Sequence, residues 1–106
     1  MTRSEILVRI EALKNQLVAE HAPERIILFG SAARDEGEVN DVDLFIIKAD
    51  APRLGADRIR ELYRLMDTDL PVDYIVYRPQ EVAERLSLGD PFVVGVITEG
   101  RVLYGG

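Results

Sequence analysis

The sequence contains no cysteine, which excludes disulfides and thiolate metal centres. Its one histidine, His21, stands beside Pro23 in an expected turn. There it reads as a solvated side chain, since metal sites usually combine several such donors. No apolar run approaches the ~18 residues of a membrane-spanning helix. The opening stretch, MTRSEILVRIEALKNQL, is interrupted by Glu5, Arg9, Glu11 and Lys14. It lacks the continuous apolar segment of a secretory signal, so a cytoplasmic location is expected. Positive charge is also scarce. Thirteen Lys and Arg face nineteen Asp and Glu, for a formal net charge of −6. That balance argues against direct DNA binding, which draws its affinity from phosphate neutralisation. It is compatible with a small phosphorylated substrate held at one local site, or with a basic protein partner. Repeats, low-complexity tracts and linkers are missing as well.

What is present is an ordinary globular composition, 47% hydrophobic and 30% charged over 106 residues, enough for one domain with one core. Residues 4–18 read as a helix. Ser4 is its expected cap, and Ile6, Ile10, Leu13 and Leu17 recur at helical spacing. RIILFG is a short buried strand, followed by a helical turn over residues 31–34 and a polar loop, DEGEVN. A second strand covers 42–47, a second helix 54–66 and a third strand 72–77. Pro79 suits the first turn of a helix ending near residue 86. Residues 92–98 form a last short helix, and EGRVLY ends the chain as a turn with a short strand. Strands alternate with helices, so an α/β (α+β) fold is expected, with helices packed on a small mixed sheet of three to four strands.

Two aspartates begin the second strand. Residues i and i+2 of a strand share a face, so Asp41 and Asp43 project together, rooted roughly 7 Å apart. Val42 turns to the opposite side. The third strand, in PVDYIVY, carries Asp73 among apolar neighbours. If the second and third strands are adjacent, three carboxylates converge. Oxygen-only clusters suit Mg²⁺ or Mn²⁺. Two such ions clamp the attacking and leaving oxygens of a phosphoryl displacement. Taken alone, aspartates at a strand start also serve turns and caps, and Asp73 also suits a strand edge or an ion pair.

Upstream, Gly30-Ser31 follows a buried strand and opens a helical turn. Gly admits a ligand close to the backbone, and the free N–H groups of the turn attract anions. Arg34 adds a charged donor within reach of a phosphate. The plainer reading is that Ser31 caps the turn. A Walker loop is excluded, because no Gly-Lys-Ser/Thr follows. The other residues have bland readings. Arg58, Arg60, Glu61 and Arg64 fit the solvated face of a helix. Tyr63, Phe92 and Tyr104 suit the core or a partner surface, Tyr74 and Tyr77 flank the third strand, and FVVGVI is a candidate interface if the core leaves it uncovered.

The whole stretch, LFGSAARDEGEVNDVDLFII, resembles the catalytic core of the DNA polymerase β-like nucleotidyltransferases. Its order is an apolar strand, Gly-Ser, nine intervening residues (32–40), and Asp-x-Asp flanked by apolar residues. PVDYIVY is similar to the later strand that carries the third acid. The resemblance covers essentially the whole chain and is closest to the minimal nucleotidyltransferases. It implies that Gly30, Ser31 and Arg34 bind the nucleotide's phosphates, and that Asp41, Asp43 and Asp73 are catalytic and hold Mg²⁺, two ions in this family. Asn40 stands where many relatives have Ser. The implied activity is transfer of AMP from ATP to a hydroxyl. The implied partner is a HEPN-domain toxin modified on a tyrosine, which makes the chain an antitoxin working as a hetero-oligomer or homodimer. Two other readings stay open: a non-catalytic module that neutralises a partner by contact, and an enzyme acting on a small hydroxylated molecule. Relatives of the latter kind have a helical substrate domain that this chain lacks.

Overall fold

A computed structural model describes residues 1–34, 37–39 and 41–106. Three residues of the expected polar loop, Asp35, Glu36 and Asn40, lie outside the described residues. The elements follow in the order α1 (Arg3–Glu20), β1 (Arg25–Phe29), a 3-10 turn (Gly30–Ala33), β2 (Val42–Ile47), α2 (Gly55–Leu65), β3 (Val72–Tyr77), α3 (Pro79–Ser87), α4 (Pro91–Glu99) and β4 (Arg101–Tyr104). The α1 helix starts earlier than its apolar period suggests. Thr2, not Ser4, is the cap: its hydroxyl accepts from the Glu5 N–H while the Glu5 carboxylate accepts from the Thr2 N–H. This reciprocal pair satisfies two orphan donors at once.

The four strands form one mixed sheet in the order β3-β2-β1-β4. β1 runs antiparallel to both β2 and β4, whereas β2 and β3 are parallel. A parallel pair needs a crossover, and α2 supplies it. Alternation along the strands divides the apolar side chains between two faces. On one face Leu28, Val42, Leu44, Ile46 and Tyr74 pack with Ile10, Leu13 and Leu17 of α1 and Leu62 of α2. On the other, Ile27, Phe45 and Ile47 pack with Val82 of α3 and Val93 and Val96 of α4. FVVGVI therefore places Val93 and Val96 in the core and leaves Phe92 exposed.

His21 and Arg58 depart from their sequence readings. His21 is buried, 2% exposed. Its Nε2 lies 3.1 Å from a carboxylate oxygen of Glu61, and its backbone carbonyl accepts from the buried Lys48 ammonium. Burial and the Lys48 charge hold its pKa below the ordinary imidazole value, against the pull of Glu61. Arg58 is also buried. It reaches Glu81 at 2.7 Å and donates to the carbonyls of Pro52 and Val76, tying α2 to β3 and α3. Its neighbours Arg60 and Arg64 are exposed, as a solvated helix face requires. Tyr63, by contrast, is 61% exposed, with its ring edge-on to Tyr74.

Candidate functional site

The parallel register of β2 and β3 places Val42 opposite Val72, and Asp43 opposite Asp73. Laterally paired residues share a face of the sheet. The two valines go to the core against α1 and α2. The two aspartates therefore share the opposite face, the one on which Phe45 lies under α4. Asp41 stands one residue before β2 and is exposed, as is Asp73, while Asp43 is half-buried. Partial burial, then the negative charges of Asp73 and Asp41, push the Asp43 carboxyl above the ordinary carboxylate range. Asp73 and Asp41, the other two acids that the spacing singles out, thus bear electrostatically on Asp43.

The Gly-Ser turn closes over this group. Phe29, the last residue of β1, pairs with Asp43 across the antiparallel ladder, so Gly30 begins its turn beside the Asp43 side chain. Gly30 has φ +70°, and a Cβ there would fall 2.3 Å from Asp43 Oδ2. Both facts demand glycine. The Ser31 hydroxyl lies 3.4 Å from the Asp41 carbonyl oxygen, which links the turn to the start of the acidic strand. Arg34 is exposed just after the turn, its N–H donating to the Ser31 carbonyl. Arg3, which sequence reasoning passed over, completes the frame. Its guanidinium donates to the carbonyls of Arg34 (2.5 Å) and Gly37 (2.6 Å), and so ties these two residues to the start of α1. Only a contact 31 residues away in sequence reveals it.

Tyr74 and Tyr77 contribute little here. Tyr74 faces the α1 and α2 side, where burial raises its hydroxyl pKa to about 12. Tyr77 pairs with Ile47 at the far end of the parallel ladder.

Residues 10–104 match the family model described as the nucleotidyltransferase domain. The chain belongs to that family. No curated protein matches its sequence. A crystal structure of a "putative nucleotidyltransferase" from Sulfolobus solfataricus is similar, with 27% identity and a TM-score of 0.58 over 77% of this chain and 78% of that one. The nucleotidyltransferase fold is thus shared, and transfer of a nucleotide is the general activity. Members of the family generally use a nucleoside triphosphate and a divalent metal ion.

The nucleotidyltransferase residues on this face fit such an ion in kind. They offer carboxylate oxygens alone, and burial followed by the charges of Asp73 and Asp41 raises the Asp43 pKa, an opposition to ionisation that a cation would relieve. Among the described residues no three acidic or imidazole side chains are gathered into a ready cage.

Proposed function

We propose that this nucleotidyltransferase transfers AMP from ATP to a hydroxyl. The reading rests above all on the register that sets Asp43 beside Asp73, with Gly30 packed against Asp43. Asp41 and Asp43 would hold Mg²⁺ (or Mn²⁺) together with phosphate oxygens, with Asp73 completing the site and a second ion sharing the group. An ion held there would supply charge neutralisation for the triphosphate and the leaving group. Gly30 leaves the backbone open to the phosphates, Ser31 and its turn supply donors, and Arg34 offers a guanidinium to a phosphate oxygen. Asp73, exposed at the outer strand, takes the proton of the acceptor hydroxyl. That oxygen bonds to the α-phosphorus, the bond from the α-phosphorus to its bridging oxygen breaks, and pyrophosphate leaves. Positioning and charge stabilisation carry a reaction of this type.

The acceptor we favour is a tyrosine of a partner protein of the HEPN-toxin class, silenced by the modification, which would make this chain an antitoxin that works in a hetero-oligomer. An acidic chain with a net charge of −6 suits a basic, RNA-cutting partner. The test is purified protein with Mg²⁺, labelled ATP and the co-expressed partner, read by label transfer and by AMP-sized mass additions on a partner tyrosine. Asp41→Ala and Asp43→Ala should each lower transfer by more than about a hundredfold. Near-normal turnover in either variant would sink the assignment. A tight complex without label, neutralised equally by Asp43→Ala, would identify a binding module instead.

A further inference from the structure

A cleft of about 310 Å³ opens between the Gly-Ser turn and α4. Phe29, Gly30, Arg34, Phe92, Gly95 and Glu99 line it. It adjoins the carboxylate site through Gly30, which lines the cleft and packs against the Asp43 side chain. We propose that this cleft seats the nucleoside of the bound triphosphate, with Glu99 selecting a base whose edge donates hydrogen bonds. The inference rests on the nucleotide-transfer reading above and adds where the base lies and which bases are accepted.

Three observations carry it. The first is size and lining. The volume falls at the lower end of the range of small-ligand sites, which are mostly apolar with few polar groups. Phe29 and Phe92 meet edge to face at 5.5 Å, and Phe92 keeps 42% of its surface exposed. An exposed aromatic ring beside a cleft offers a stacking surface for a base. The second observation is Gly95. It lies inside α4, where glycine weakens a helix. A Cβ added there would meet nothing within 4 Å, so no packing within the chain requires glycine. Gly100, at the end of the same helix, is the opposite case. Its Cβ would strike Ile27 and the Val96 carbonyl at 2.5 Å, and internal packing explains it. The space kept at Gly95 belongs to the cleft. The third is the placement of charge. Arg34 stands on the turn side, towards the phosphates. Glu99 ends α4, and an ionised carboxylate is an acceptor only. It suits the exocyclic amine of adenine, cytosine or guanine and opposes the O4 carbonyl of uracil.

The experiment titrates ATP, UTP and inorganic tripolyphosphate, each with Mg²⁺, into the full chain and its variants by calorimetry. The wild type should bind ATP more tightly than tripolyphosphate and more tightly than UTP. Gly95→Leu should weaken ATP roughly tenfold or more by filling the cleft, and leave tripolyphosphate within about twofold because that ligand only reaches the phosphate end. Circular dichroism checks that the variant is folded. Glu99→Gln, an exposed change, should narrow the ATP-to-UTP ratio without altering tripolyphosphate binding. If Gly95→Leu or Glu99→Gln left the ATP and UTP affinities at their wild-type values, the cleft would not hold the base. If the wild type bound tripolyphosphate as tightly as ATP, the cleft proposal would fall and the phosphate site would stand. If it bound neither, the transfer reading would fall, and this one with it.

Discussion

Asp43 stands where its own ionisation is opposed. Partial burial and the charges of Asp73 and Asp41 raise its pKa, so the folded chain keeps this proton to higher pH than the unfolded chain does. Between the two pKa values the folded state binds more protons, and stability falls as pH rises through that window. The penalty is absent below the ordinary carboxylate value of about 3.9, and it is complete above the raised folded value. Asp43→Asn removes it. Thermal unfolding of that variant at pH 7 should therefore show a midpoint equal to or above that of the wild type, by at most about 3 °C because solvent screens the group. The gap should close near pH 3. A variant less stable than the wild type at pH 7 would mean that the carboxylate is structural, not reserved for a ligand. The same prediction separates a site from a scaffold: the substitution that removes transfer costs the fold nothing.

At the scale of elements, the strands were more legible than their neighbours. Val42–Ile47 and Val72–Tyr77 coincide with their expected bounds, since each is a short apolar run bracketed by turn residues. What lies between elements was not legible. The capping box at Thr2 needs two side chains to meet. The burial of His21 and Arg58 depends on Glu61, Lys48, Glu81 and two distant carbonyls, none of which local periodicity announces. The Asp43–Asp73 register is likewise set by the α2 crossover, although the residue types alone named the candidates. The clearest element-level signal left over is the glycine inside α4. Glycine there costs roughly 0.5–1 kcal/mol relative to alanine, and the space beside Gly95 is open. Gly95→Ala should therefore raise stability by about that amount in urea unfolding, with an unchanged slope. An equal or larger loss would show that α4 itself requires the glycine, and would remove the contrast with Gly100.

Across the whole molecule, the sheet divides labour between its faces. One face buries the α1 and α2 core. The other is packed under α3 and α4 along Phe45 and Ile47, but at the end nearest the Gly-Ser turn it carries Asp43 and Asp73. An acidic chain with a net charge of −6 gains some stability from any salt, by screening of self-repulsion. A divalent ion shared by these carboxylates and a triphosphate should add a different kind of gain, tied to the two side chains. Ligand binding stabilises by mass action, about 2.7 kcal/mol at a hundredfold excess over Kd. We expect Mg²⁺ added with a non-hydrolysable ATP analogue to raise the unfolding midpoint by several degrees more than NaCl of equal ionic strength added with the same analogue. In the Asp43→Asn, Asp73→Asn double variant the two additions should give the same midpoint, while the general salt effect persists. Equal responses in the wild type, or an undiminished magnesium response in the double variant, would place the ion away from this pair of strands.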